Sequence, residues 1–383
     1  MIASMHTIRA LGLAPFFLLA ACEQQSSSEP SAVSTPAPVV AMGEFSRIEM
    51  ARINAAAFAT SPLAEPAIEA PAADATILPP GADIPPAESI VYNAALVRIQ
   101  VLLDRAHFSP GVIDGFDGEN VAKAVSAYQT AHALPVNGRA DDTLLQILTA
   151  ADPAGALASY VIAASDLVGP FAVVPTDLEA MSQLDHLGYA DAAEGLAEKF
   201  HMDVDLLRTL NPGVDFARAG TEIVVANAGG GLATMVASIE IDKPGRAVRA
   251  YSAEGELLAY YPATIGSEAA PAPTGAHEVR AIAFDPTYHY DAERLPTFGQ
   301  RAHGPLTIQA GPNNPVGAVW IALSLDTYGI HGAPEASLVS KTQSHGCVRL
   351  TNWDAVELAR AVRTGTPVSF LESSADALVA RNG

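Results

Sequence analysis

Two cysteines in 383 residues are too few for a disulfide framework. Bases are scarce as well: 21 Lys and Arg stand against 42 Asp and Glu, for a formal net charge of −21. Such a surface repels nucleic-acid phosphates and anionic lipid alike, so nucleic acid is not an expected partner. No apolar stretch after residue 22 is long enough to cross a bilayer. What the chain does have is apolar content, 49%, enough to bury two or three small cores.

The N-terminus is the one strongly apolar run. Arg9 precedes Ala10–Leu19, and the run ends in Leu19-Ala20-Ala21-Cys22. A basic start, a short apolar stretch and small residues before a cut describe an export signal over 1–22, too short to span a membrane permanently. Leu-Ala-Ala-Cys resembles the bacterial lipobox, which implies that Cys22 becomes the lipidated first residue of the mature chain. Glu23, not Asp, follows it; the resemblance then implies a periplasmic protein, lipid-anchored to the outer membrane of a Gram-negative cell. With Cys22 committed to lipid, Cys347 is left as the single free thiol.

Composition divides the rest into a multidomain α+β chain. Residues 23–88 are rich in Ala, Pro, Ser and Glu and read as a disordered tether. Within it Ile48, Met50, Ile53 and Phe58 fall near helical spacing, so 45–59 reads either as a short helix or as a segment docked on a folded domain. From 89 to 150 two apolar stripes (Ile90, Leu96, Ile99, Leu102, Leu103; then Val121, Ala124, Val125, Tyr128) alternate with Pro/Gly turns, ahead of a third helical stretch at 141–148. That order, with Ala124 to Gln129 and the Asn137-Gly138 turn, resembles the three-helix peptidoglycan-binding module. Residues 185–226 give two short helices, Asn211-Pro212, and a final Gly220-Thr221-x-Ile223-Val224 strand, and resemble a LysM glycan-binding fold.

Over 235–371 the period changes to two. Met235, Ala237, Ile239 and Ile241 alternate, Trp320–Leu325 is another strand, and Thr366–Leu371 closes the domain, ahead of a tail at 372–383. Only Trp353–Val362 reads as a helix, capped by Thr351 or Asn352. This mostly β domain holds the chemistry. A thiol is nucleophilic only as thiolate, so Cys347 needs a neighbour that takes its proton. His345 lies two residues before it across Gly346, and His331 lies further upstream; on spacing alone either serves as the base. His331, His345 and Cys347 also suit zinc by ligand type, but no fourth ligand is evident. A merely buried cysteine would leave the histidines and glycines around it unexplained. His289 and His303 are solitary and read as loop residues.

Ile330-His331-Gly332 followed by Ser344-His345-Gly346-Cys347-Val348-Arg349-Leu350 matches the signature of the YkuD-type L,D-transpeptidases. Pro273-Thr274-Gly275, Gly311-Pro312-Asn313-Asn314-Pro315-Val316-Gly317, Thr351-Asn352 and Gly365-Thr366-Pro367-Val368 recur in the family's order. The resemblance implies a YkuD-type β-sandwich. It also implies that Cys347 attacks a peptide carbonyl, His331 takes and returns the proton, and the Gly332 carbonyl orients the imidazole. Backbone N–H groups of Gly346 and Cys347, with His345, would hold the oxyanion. Ser344 and Arg349 would brace the loop, Arg349 meeting a substrate carboxylate, and Tyr328 would line the pocket. If His331 lowers the pKa of the thiol, Cys347 alkylates below the pH expected of a free cysteine.

The family implies a peptidoglycan tetrapeptide stem as acyl donor, cleaved before its terminal D-Ala to leave a thioester, with no cofactor or metal. A second stem as acceptor gives a 3→3 cross-link, a protein lysine attaches wall-bound outer-membrane proteins, and water makes an L,D-carboxypeptidase. A catalytically inactive wall-binding lipoprotein is the remaining class, and the intact motif argues against it.

Overall fold

The computed structural model describes residues 39–58, 91–267, 270–291, 304–344 and 346–372. Cys22, His345, His303 and the 372–383 tail beyond residue 372 therefore lie outside the described residues, as does most of the 23–88 stretch.

Part of that stretch is not a tether. Residues Glu44–Asn54 form helix α1, and Ile53, one of its spaced apolar residues, is fully buried. The segment is also docked: Val40 bridges to Thr221, and Asn54 exchanges two hydrogen bonds with Leu157 (2.8 and 3.0 Å). Both sequence readings of 45–59, helix and docked segment, thus hold for described residues.

Helices α2 (Ala94–Arg105), α3 (Glu119–Ala131) and α4 (Asp142–Ala151) follow. The first and last carry side-chain caps, Asn93 accepting from Ala95 and Leu96 and Asp141 from Leu144. The two sequence stripes meet in one core of Ile99, Leu102, Leu103, Val121, Val125, Tyr128 and the leucines of α4. Buried Gln129 explains its place in the motif. Its side chain donates to Asn137 Oδ1 and accepts from the Asn137 and Gly138 N–H groups at 2.7–3.0 Å, pinning the Asn-Gly turn.

The next unit is longer than the 185–226 read from sequence. Strand β1 (Leu157–Val161) pairs antiparallel with β2 (Glu222–Ala226), closing a β-α-α-β arrangement around α6 (Ala192–Lys199) and α7 (Val204–Leu210). Between β1 and α6 runs an inserted segment that holds the short helix α5 (Leu178–Met181). The insertion separates the two strands in sequence, which is why β1 is hard to read there. Asn211 ties the unit together, bonding Leu207 O, Val224 O and Val224 N at 2.7–2.9 Å.

The last region is built on strands β3 (Ser238–Asp242), β4 (Ala247–Tyr251), β5 (Leu257–Pro262), β6 (Thr264–Ile265), β7 (Gly275–Phe284), β8 (Tyr288–Tyr290), β9 (Leu306–Ile308), β10 (Val319–Leu323), β11 (Gly329–His331), β12 (Val348–Arg349) and β13 (Pro367–Leu371). Its long helix is α8 (Asn352–Ala361), capped by Thr351, whose hydroxyl accepts from Asp354 N. Nine strands form one sheet in the order β5-β4-β3-β13-β7-β10-β11-β12-β6. The two outermost, β5 and β6, are separated in the chain only by Ala263. The sheet must therefore curl until its edges nearly meet, which makes it a rolled, sandwich-like layer enclosing the core of Ile239, Val248, Tyr261, Ile321, Ile330 and Val348. His289, read as a loop residue, lies in strand β8 of a separate hairpin, where it pairs with Thr307.

The regions share surfaces. His107 to Ser109 run beside Tyr260 of β5, and Ile113 bridges to Met202. Among the described residues no helix is long and apolar enough to cross a membrane.

Candidate active site

Strands β11 and β12 run parallel, with Ile330 opposite Val348 and His331 opposite Arg349. Side chains alternate faces along a strand. Arg349 therefore shares a face with His331, opposite the side on which Ile330 and Val348 enter the core. Cys347 ends the turn just before β12, and the Arg349 charge acts on both its thiol and the His331 ring.

His331 is buried, only 3% exposed. Its Nδ1 lies 2.6 Å from the carbonyl oxygen of Gly332. A carbonyl can only accept, so Nδ1 carries the proton and Nε2 is the basic nitrogen of the neutral ring. Trp320, opposite His331 on β10, stacks on the imidazole at 5.4 Å between centroids. Burial, reinforced by the Arg349 charge, pushes the His331 pKa down to about 3, against a smaller upward pull from the carbonyls of Gly332 and Val316. At neutral pH the ring is an uncharged base.

The Cys347 thiol is half-buried and points at the Thr327 carbonyl, 3.7 Å away. Burial pushes its pKa up; a backbone contact from Gly329 and the Arg349 charge pull the other way without cancelling it. This reverses the expectation that His331 would draw the thiol below an ordinary cysteine. The resting pair is neutral thiol and neutral imidazole, because neither ion is well solvated there.

The turn that carries Cys347 is fixed at both ends. Ser344, 2% exposed, accepts from Gly266 N and donates to Cys347 O through one hydroxyl, each at 2.6 Å, while its N–H bonds Gly266 O at 3.0 Å. Gly346 has φ +106°, and a Cβ there would lie 2.8 Å from the Tyr328 ring. Tyr328 therefore packs on the turn itself. His345 lies between these residues but outside the described set.

Arg349 has no hydrogen-bond or ion-pair partner among the described residues, and its Nε is buried. Burial lowers its pKa. It lines a cavity of about 280 Å³ together with Thr264, Asn313, Leu338 and two residues of the insertion, Leu178 and Met181. Tyr288 stands near both Cys347 and Arg349, and burial raises its pKa to about 12.

Sequence reasoning missed three contributors. Trp320 was read only as a strand residue, although it is one of two tryptophans in the chain. Asn352 was read as a possible helix cap, but its side chain reaches the segment leading into β10, where Oδ1 accepts from Ala318 N at 2.9 Å. Glu198 comes from a region far away in sequence, and no motif pointed to it.

Residues 237–369 match the family described as the YkuD L,D-transpeptidase catalytic domain, and 93–148 match that described as "Putative peptidoglycan binding domain". Over 185 residues the chain is 28% identical to the "Putative L,D-transpeptidase YkuD" of Bacillus licheniformis, covering 47% of this chain and 93% of that protein. It is 44% identical over 62 residues to the protein of the same name from Bacillus subtilis, covering 16% of this chain and 38% of that one. The solved L,D-transpeptidase from Mycobacterium smegmatis is 20% identical, covers 39% of this chain and 65% of that one, and superposes with a TM-score of 0.29. The chain thus spans less than two thirds of the length of the last two. By its sequence matches, the chain carries an L,D-transpeptidase catalytic domain of the YkuD type joined to a peptidoglycan-binding domain.

Proposed function

We propose that the protein is a cysteine-dependent L,D-transpeptidase acting on peptidoglycan tetrapeptide stems. The observation that carries this reading is the pairing of β11 with β12, which sets Arg349 opposite a neutral His331 whose tautomer is fixed by the Gly332 carbonyl, with the Arg349 charge acting on both His331 and Cys347.

Cys347 Sγ attacks the carbonyl between the third stem residue and the terminal D-Ala as its proton passes to His331 Nε2. Because both partners rest uncharged, proton transfer accompanies attack instead of preceding it. The oxyanion is met by the N–H groups of Gly346 and Cys347, a role to which the sequence motif adds His345. The C–N bond then breaks, His331 returns its proton to the departing D-Ala amine, and a thioester remains on Cys347. An acceptor amine attacks the thioester, losing its proton to His331, and the thiol is regenerated once the ring returns that proton to sulfur. The side-chain amine of a second stem gives a 3→3 cross-link, and a lysine of an outer-membrane protein gives wall attachment.

The Arg349 guanidinium, without a hydrogen-bond partner for its buried Nε among the described residues, suits a substrate carboxylate, and the adjoining cavity suits the stem. The peptidoglycan-binding domain would raise the local concentration of its polymer. The 157–226 unit has the β-α-α-β order expected of a LysM-like fold. The Bacillus licheniformis alignment, longer than the catalytic-domain match, extends past that domain. We place the protein in the periplasm, lipid-anchored through Cys22.

Two measurements test the reading. A carbapenem should acylate the full chain with one adduct on Cys347, and Cys347→Ala should abolish it. Incubation with tetrapeptide muropeptides should yield dimers by mass spectrometry. Release of D-Ala without dimers would replace transfer by hydrolysis, and no adduct with no D-Ala release would refute the enzyme reading.

A further inference from the structure

The β-α-α-β unit does not hang beside the catalytic domain; it grips the loops that build the catalytic site. Leu187 N bonds Ala310 O at 2.9 Å, and Asn313 N returns a bond to Leu187 O at 3.0 Å. The Asn313 side chain donates to Glu194 Oε1 (2.9 Å) and Gly188 O (3.1 Å). A Cβ on Gly311 would lie 2.1 Å from Leu187 O, so the two backbones touch. The Gly-Pro-x-Asn-Pro-x-Gly segment is thus seated on this unit.

One chain of contacts goes further. Glu198, on α6, accepts from Tyr189 Oη at 2.9 Å and from Asn352 Nδ2 at 3.0 Å. Asn352 is 2% exposed; its Nδ2 also donates to Pro312 O (3.1 Å), and its Oδ1 accepts from Ala318 N (2.9 Å). The same Oδ1 lies so close to Gly332 that a Cβ there would come within 2.1 Å of it. Gly332 supplies the carbonyl that holds His331 Nδ1. We infer that Glu198 is a positioning residue for His331. It acts through Asn352 on the Gly332 loop, so the unit that carries it is a working part of the catalytic site and not only a wall-binding appendage.

Asn352 is an amide and could point its two ends either way. The pairing decides: Nδ2 must face the carboxylate and the Pro312 carbonyl, which leaves Oδ1 for Ala318 N and the close approach to Gly332. Loss of Glu198 removes the charged one of the two acceptors that hold Nδ2, leaving Pro312 O and Ala318 N–H to keep the amide in place. A flipped amide would turn its NH2 toward Ala318 N–H, donor against donor, and the loop would have to move. A shift of about 1 Å in a catalytic group can cost roughly 100-fold in rate.

Burial pushes the Glu198 pKa up to about 7, against downward pulls from Asn352 and Tyr189. The titratable groups facing it are Tyr189 and Glu194 from its own unit and His201 beyond the end of α6; α8 presents Asn352. His201 is also titratable, its pKa raised by Asp104 against burial, so the isosteric Glu198→Gln variant is what assigns any pH effect to Glu198.

This inference rests on the acyl-transfer reading in one arm of its test only. In the first arm, the full chain is acylated with a carbapenem from pH 5.5 to 8.5, and maximal rate and half-saturating concentration are separated. Glu198→Ala should lower the maximal rate by about 10-fold or more with half-saturation nearly unchanged. Glu198→Gln, which still offers Asn352 an oxygen, should restore most of the rate and lack the component of the pH profile near 7. In the second arm, iodoacetamide alkylation of Cys347 is followed over the same pH range, which requires no transpeptidase activity. Glu198→Ala should change that profile by displacing His331, and Glu198→Gln should not. A folded Glu198→Ala protein with wild-type rate and alkylation profile would overturn the inference, as would a Glu198→Gln profile that keeps the component near 7. If wild type is not acylated at all, the transpeptidase reading fails and the alkylation arm still decides.

Discussion

Replacing Ser344 with Ala removes one oxygen and should disable the nucleophile. That hydroxyl joins the end of β6 directly to the residue carrying the thiol, through two bonds of 2.6 Å in a site 2% exposed. The two hydrogen bonds contribute about 1 kcal/mol each on balance, and the orphaned Gly266 N–H adds a buried donor costing about 1–3 kcal/mol. Partial relief from the surviving Ser344 N to Gly266 O bond keeps the expected loss near 2–4 kcal/mol. For a domain of this size that corresponds to a fall in Tm of roughly 5–10 °C, read by calorimetry. Activity should fall further than stability. With the Cys347 carbonyl released, the turn can move by an ångström, and carbapenem acylation of the folded protein should slow by roughly 100-fold. A Ser344→Ala protein with Tm within 1 °C of wild type and acylation within twofold would refute the role given to this hydroxyl.

Two further expectations follow from electrostatics. Because burial raises the Cys347 pKa, iodoacetamide alkylation should show its inflection above the roughly 8.5 of a free cysteine, and Arg349→Gln should move it higher by removing the nearby positive charge; an inflection below 8 would contradict the neutral resting pair. At the junction of the regions, His107 bonds Glu357 (2.8 Å) and His201 bonds Asp104 (3.0 Å), and both imidazoles have raised pKa values. For His107 the Glu357 bond dominates, while for His201 burial opposes the charge and Asp104 overcomes it. A raised histidine stabilises the fold fully below its unfolded value of about 6.5 and loses that contribution as pH rises through the folded pKa. Glu198 acts in the same direction at its own, lower unfolded value. Tm should therefore fall between pH 6 and 8.5, with a shallower slope in His201→Asn; an unchanged slope in that variant would remove the pair from the explanation.

The His331–Gly332 bond and the turn before β12 were legible because each lies within a short motif, one ending β11 and the other leading into β12. Gly346 could be read the same way, since a left-handed turn against Tyr328 leaves no room for a side chain. The protonation states were not legible. They depend on how deeply Trp320 and neighbouring strands bury His331, a property of packing and not of spacing. Strand β1 was missed because its partner β2 lies beyond an insertion and two helices, so no local alternation marks it as one half of a pair. Glu198 was missed for a related reason: 154 positions separate it from Asn352, and a buried carboxylate that bonds a distant amide leaves no pattern in a single sequence.

The docking of α1 sets a length scale. Val40 N bonds Gly220 O at 2.8 Å, and Phe58 N bonds Asp142 Oδ1 at 2.8 Å, so residues 39–58 are fastened to the folded body at both ends. Because both ends of 39–58 are held, the chain that follows residue 58 adds nothing to the reach of an N-terminal anchor. For a lipid anchor at Cys22, the leash is residues 23–38, at most roughly 55 Å when fully drawn out, about a quarter of what 23–88 would allow. With the proposed anchor at Cys22, that length would act as a ruler, confining acyl transfer to the layer of wall within its reach of the bilayer, and a pull transmitted through Val40 would load the edge at Thr221 before the strands around Cys347.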